Sequence, residues 1–209
     1  MSNMLASNTF LNADLLNDTA IELGISPAFV EKDWYAVQLI SCISDFPYMG
    51  FKPIFAGGTS LSKGFGLIKR FSEDLDFMVS YEGVFQRTLF RKYREAIYDR
   101  INTYNFFHVK RETHCSFNEG RKFSIDIQYN RLTPMSEVLR PHLKLEISAH
   151  EKEFEQSSRD ICSFVNELTQ NNAETQCRLP LINSVLLSGE LMQKTEKNHV
   201  GLRRMILLL

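Results

Sequence analysis

Apolar residues recur at helical spacing near the start of the chain, at Leu15, Leu16, Ala20 and Leu23, and Gly24 ends the run. Ser26-Pro27 then supplies an N-cap and a first-turn proline, which predicts a second helix from about Pro27 to Ile43. Its apolar face is Phe29, Val30, Trp34, Val37, Ile40 and Ile43, while Glu31, Lys32 and Asp33 open on the other side. A DNA-reading helix-turn-helix is the weaker interpretation of this pair, because the second helix begins acidic and has no basic cluster to meet phosphates.

The period then changes. Residues 52–56 predict a short strand ending at two glycines, followed by a helix from Ser60 to about Ile68 and a strand carrying Asp74 and Asp76. On that strand alternation places both carboxylates on one face and Leu75, Phe77 and Val79 on the other. After Gly83, Phe85, Leu89, Tyr93, Ile97, Ile101 and Tyr104 predict a long amphipathic helix. Its outer side bears Arg87, Arg91 and Arg94, with Lys92 and Arg100 nearby. These suit either an RNA backbone or, the favoured reading, a solvated face with Arg91 paired to Glu95. Residues 106–115 and 121–129 read as a hairpin turning at Asn118-Glu119-Gly120, with Ser124, Asp126 and Gln128 on one face. A last strand, 143–148, buries its leucines and isoleucine and presents Lys144, Glu146 and Ser148.

Composition narrows the class. A chain of 209 residues with 44% hydrophobic content can build one α+β domain with a smaller attachment, and a net charge of -1 excludes a globally basic nucleic-acid binder. Cys42, Cys115, Cys162 and Cys177 lie far apart without C-x-x-C spacing, so neither a zinc site nor a disulfide framework is indicated. The five histidines show no ligand spacing. No secretory leader or span-length apolar run is present, and the expected location is the cytoplasm, away from membranes.

Candidate chemistry concentrates in residues 57–77. Gly57-Gly58 allows backbone N–H groups to approach a phosphate, and a following helix N-terminus adds partial positive charge. Thr59 and Ser60 add hydroxyls, and Lys63 is a candidate for reaching a triphosphate. Arg70 and Ser72 flank the carboxylate strand as candidate phosphate clamp and donor. Asp74 and Asp76, side by side, are a pattern that holds a hard cation such as Mg²⁺ or Mn²⁺. Two-metal phosphoryl transfer calls for a third carboxylate on a neighbouring strand, and by pattern Asp126 and Glu146 both qualify.

The order G-G-T-S-L, short helix, R-F-S-E-D-L-D resembles the signature of the AbiEii-type nucleotidyltransferase toxins, a branch of the DNA polymerase β-like superfamily. Val30-Glu31-Lys32-Asp33-Trp34 is similar to a segment that precedes the glycine turn in that family. The resemblance spans roughly residues 25–150. It implies a polymerase β-like fold with a mixed central sheet flanked by helices. Accordingly 1–50 would be a helical segment on the core, 51–150 the catalytic core, and 151–209 a helical C-terminal segment, shortened relative to the family. Family members carry E-K- or D-K-containing and R-D-x-x-D-containing segments in their C-terminal helices; this chain has no convincing match to them, and Lys194 and Lys197 are candidate stand-ins.

The same resemblance favours Glu146 as the third metal-holding carboxylate, through the stretch Leu139 to Ile147; Lys144, two residues before it, is a candidate for neutralising substrate charge. It implies transfer of a nucleotidyl group from a nucleoside triphosphate to an acceptor, tRNA in some members, with a cognate antitoxin as partner. The alternative is a remnant that binds nucleotide or a partner protein without turnover, and a phosphotransferase moving a terminal phosphate is a third reading.

Overall fold

A computed structural model describes residues 11–67, 72–151, 156–171 and 203–208. Two helices open the fold, α1 (Ala13–Leu23) and α2 (Pro27–Ser44). Asn12 caps the first by accepting from Leu15 N at 2.8 Å, and Gly24, in the left-handed region, ends it. There follow β1 (Lys52–Ala56), α3 (Gly57–Lys63), β2 (Asp74–Ser80), α4 (Arg87–Asn102), and β3 (Phe107–Phe117). A short 3₁₀ turn (Asn118–Gly120) leads to β4 (Lys122–Tyr129) and β5 (Leu143–His150), and then come β6 (Gln156–Ile161), α5 (Phe164–Asn171) and β7 (Arg203–Leu208). The helix expected from Ser60 to Ile68 instead starts at Gly57 and closes at Gly64, because the chain turns directly out of β1.

The strands form one mixed sheet in the order β3-β4-β5-β2-β1-β7-β6. β1 and β2 are antiparallel, β2 and β5 parallel, and β5-β4-β3 antiparallel. The expected mixed α+β architecture is therefore present. The described part of the segment expected to be helical, 151–209, carries two strands besides α5, and β7 lies between β1 and β6. Backbone pairing with the β1 edge, a tertiary interaction, overrides the local reading there. Lys194, Lys197 and Cys177 lie outside the described residues. Among the described residues no helix is long and apolar enough to cross a membrane.

The core occupies one face of the sheet. Leu75, Phe77 and Val79 of β2, Phe123, Ile125 and Ile127 of β4, and Leu143, Leu145 and Ile147 of β5 are all buried there. α2 and α4 cover this face: Tyr35 stacks on Tyr129 with ring centroids 4.5 Å apart, and Phe90 meets Phe123 at 5.7 Å. The opposite face of β2, β4 and β5 carries the charged residues.

Candidate active site

β1 hands the chain to α3 at Gly57, which sits at φ 72°. A Cβ there would fall 2.1 Å from Asp76 Oδ2, so only glycine lets this turn lie against the carboxylate. The cause is register: Ala56 pairs with Asp76 across the β1/β2 ladder, and the next residue turns over the side chain of that pair. The first-turn N–H groups of α3, from Gly57 to Thr59, have no intrahelical acceptors and are thus donors to whatever the turn faces.

One ladder further, β2 and β5 run parallel with Asp76 opposite Glu146 and Asp74 opposite Lys144. The β5/β4 ladder continues both rows, to Ser124 and Asp126 respectively. Glu146 is therefore the immediate strand neighbour of Asp76, while Asp126 stands one strand farther away and has His142 Nε2 at 3.5 Å. Of the two candidates for third carboxylate, geometry brings Glu146 closer to the pair.

Charge is distributed unevenly over this face. Glu146 binds Lys122 at 2.5 Å through one oxygen and Lys144 at 2.7 Å through the other. Burial pulls its carboxyl up, but the hydrogen bonds and charges of the two lysines outweigh it and hold Glu146 below the usual carboxylate range. Asp74 Oδ1 accepts from Arg140 Nη1 at 2.6 Å. Asp76 lacks such a partner among the described residues. Burial, then the nearby charges of Glu146 and Asp74, push its carboxyl up.

In type this donor set suits a hard divalent cation: two carboxylates alternate on one strand, with a third across one ladder step. The charge pattern fits as well, since Asp76 carries repulsion from two acids with no cation in contact. Among the described residues, no three His, Cys, Asp or Glu side chains are drawn together closely enough to form a metal cluster.

The remaining sequence candidates divide. Gly57 and Gly58 form the turn. Thr59 and Ser60 are buried, and their hydroxyls donate inward, Thr59 Oγ1 to Asp74 O at 2.8 Å and Ser60 Oγ to Gly57 O at 2.9 Å. Thr59 ties the turn to β2, Ser60 closes the turn on itself, and neither is a free O–H donor. Lys63, expected near the triphosphate, instead ion-pairs with buried Asp33 at 2.6 Å, donates to Cys162 O at 3.2 Å and lies over the Phe164 ring. Ser72 is half-buried just before β2. Arg70 lies outside the described residues.

Three residues of α2 expected on its polar side are fully buried: Glu31, Lys32 and Asp33 are at most 1% exposed. Each carries a separate connection. Glu31 accepts from the backbone and hydroxyl of Thr133 and from Leu132 N. Lys32 donates to Glu73 and, at 2.8 Å, to Arg140 O. Asp33 accepts from Phe164 N at 2.8 Å besides pairing with Lys63. Burial drives the Asp33 carboxyl up, opposed by Lys63, and drives the Lys32 ammonium down, opposed by Glu73. Glu73 also accepts from Arg140 N at 2.8 Å. The helix thus holds, through Glu73, the arginine that rests on Asp74. Sequence reasoning missed Arg140 and Lys122 as well. Lys122 was accessible in principle, since it begins the same alternation as Ser124 and Asp126.

The family model described as nucleotidyl transferase AbiEii toxin, type IV TA system, matches residues 43–183. Among solved structures, the chain is similar to MenT4, a nucleotidyltransferase toxin from Mycobacterium tuberculosis H37Rv, with 19% identity and a TM-score of 0.38 over 69% of this chain. The match spans 45% of that protein's chain. No curated protein matches the sequence.

Proposed function

The chain belongs to the AbiEii nucleotidyl transferase toxin family, and from that premise we propose that it transfers a nucleoside monophosphate from a nucleoside triphosphate to a hydroxyl of an RNA acceptor, tRNA being the expected one. In this reaction the acceptor oxygen bonds to the α-phosphorus, the bond from that phosphorus to the bridging oxygen breaks, pyrophosphate leaves and the hydroxyl proton is released. The observation that supports the reading best is the close packing of Gly57 against Asp76, with Glu146 in register on the next strand.

The backbone N–H groups of Gly57 to Thr59 bind phosphate oxygens, and Lys144 adds positive charge beside Glu146. Asp74 and Asp76, with Glu146, would hold Mg²⁺ or Mn²⁺, which neutralises triphosphate charge and makes an acceptor hydroxyl more acidic. Glu146 stays ionised because two lysines lower its proton affinity, which suits a fixed anion better than a proton acceptor working near neutral pH. Arg140 shields Asp74 and orients it. In a cell such an activity would act as a toxin restrained by a cognate antitoxin, in the cytoplasm.

Incubation with RNA and nucleoside triphosphates labelled on the α- or the γ-phosphate tests this. Label from the α-phosphate should enter RNA, label from the γ-phosphate should not, and Asp76→Asn should abolish incorporation. Transfer of γ-label instead would make the protein a phosphotransferase. One observation favours a second reading, nucleotide binding without turnover: both oxygens of Glu146 are engaged by lysines. Saturable triphosphate binding with no labelled product under any acceptor would select it.

A further inference from the structure

Three arginines of α4 converge on a pocket of about 320 Å³ that the reading above leaves unused. Arg87, Arg91 and Arg94 line it together with Ser116, over a floor formed by Phe90 and Phe123. Phe123 and Ser124 are consecutive on β4 and point to opposite faces, so the pocket opens on the side of the sheet away from Asp76 and Glu146.

The expected pairing of Arg91 with Glu95 does not occur. Glu95 pairs with Arg94 at 2.6 Å and with Arg111 at 2.5 Å, leaving Arg91 without it. Arg94 is further fixed by His114, 3.1 Å away, so one guanidinium is held in place at the pocket wall. Arg87 and Arg91 are exposed and make no ion pair among the described residues. Arg87 passes so close to Gly120 that a Cβ there would lie 2.7 Å from its Nε, which means the glycine of the 3₁₀ turn makes room for this side chain. No acidic residue lines the pocket.

Two guanidiniums without a carboxylate, Arg87 and Arg91, beside a third held by Glu95 and His114, over an apolar floor, have the chemistry that receives phosphate oxygens. Their spacing of four and then three residues sets them in a row along one side of the helix, and a row of cations fits a chain of phosphates better than a single one. We propose that this pocket binds the backbone phosphates of the RNA acceptor, so that the RNA contacts the domain on the face opposite the transfer site. The assignment takes RNA from the function proposed above, and it is tested by binding, which an inactive transfer site leaves unmoved.

The measurement is fluorescence anisotropy of a short labelled oligouridylate titrated with the full chain at several salt concentrations. Arg87→Ala/Arg91→Ala should weaken binding about tenfold and flatten the slope of log affinity against log salt by about 1.4, the value for two lost phosphate contacts on a single strand. Arg87→Lys/Arg91→Lys should retain most of the slope, which separates lost charge from a damaged fold. Unchanged affinity and slope in the double alanine variant would overturn the proposal. So would competition by inorganic phosphate as strong as that of unlabelled oligouridylate at equal phosphate concentration, which would mark a site for one small anion.

Discussion

Gly57 and Asp76 are in direct contact, glycine backbone against carboxylate, with room for no further atom between them: the missing Cβ would lie 2.1 Å from Asp76 Oδ2 and 2.8 Å from its Cγ. This contact joins the phosphate-facing turn to the acid strand. Gly57→Ala must therefore displace one of them, and it also forces a side chain onto a residue at φ 72°. The expected result is a stability loss of about 1–3 kcal/mol in urea denaturation together with loss of nucleotidyl transfer. Gly58→Ala, at a residue outside the left-handed region, should retain the fold.

Asp76 should trade stability for function. Its carboxyl is pushed up by burial and by Glu146 and Asp74, so above its folded pKa the ionised form costs the native state free energy. Asp76→Asn removes that cost and should stabilise the protein by on the order of 1 kcal/mol at pH 7 while abolishing transfer. The folded state takes up this proton before the unfolded state does, so native stability from this group rises as pH falls from the raised folded value towards the ordinary carboxylate value. The advantage of the asparagine variant should shrink over the same interval, measurable as converging melting temperatures.

Lys32 is fully buried on Glu73. Lys32→Ala leaves Glu73 facing Arg140 alone and should destabilise the fold by about 3 kcal/mol. Lys32→Met combined with Glu73→Gln should cost less than the two single changes added, because neither variant group is then a lone charge. A double-mutant cycle in urea should return a coupling of at least about 1 kcal/mol. A coupling near zero would mean that Lys32 acts only through its bond to Arg140 O.

Arg140 competes for Asp74. Removing its guanidinium takes a cation from Asp74 Oδ1 without touching β2, so Arg140→Ala should strengthen Mg²⁺ binding. An exposed pair of this kind is worth up to about 1 kcal/mol, or about fivefold in affinity. The readout is the Mg²⁺ concentration that half-saturates the rise in melting temperature, which should fall several-fold in the variant and lie out of range in Asp74→Ala.

Lys122 and Lys144 hold Glu146 as an anion from both sides. The carboxyl is lowered below its ordinary value, so its contribution to stability is complete above that ordinary value and is lost as pH falls through the lowered one. Lys122→Ala should move this acid limb of the stability curve to higher pH. Thermal melts between neutral and strongly acidic pH would show the displacement.

Much of this was present in the chain before it folded. Two-residue alternation alone put Asp74 and Asp76 on one face and Leu75 and Phe77 on the other, and the paired glycines marked the turn, because both are consequences of local backbone geometry. Strand register could not be read in the same way. That Glu146, and not Asp126, neighbours Asp76 depends on β5 entering the sheet parallel to β2, a pairing between residues about seventy positions apart. Local pattern also misled where partners were distant. Glu31, Lys32 and Asp33 look like a solvated helix face, yet they are buried because Thr133, Glu73, Lys63 and Phe164 arrive to satisfy them. By itself the sequence determined which residue types the site contains and which way each points from its own strand. The tertiary structure decided which of them meet, because hydrogen-bond register and buried charge pairing are properties of segments brought together, not of any one segment.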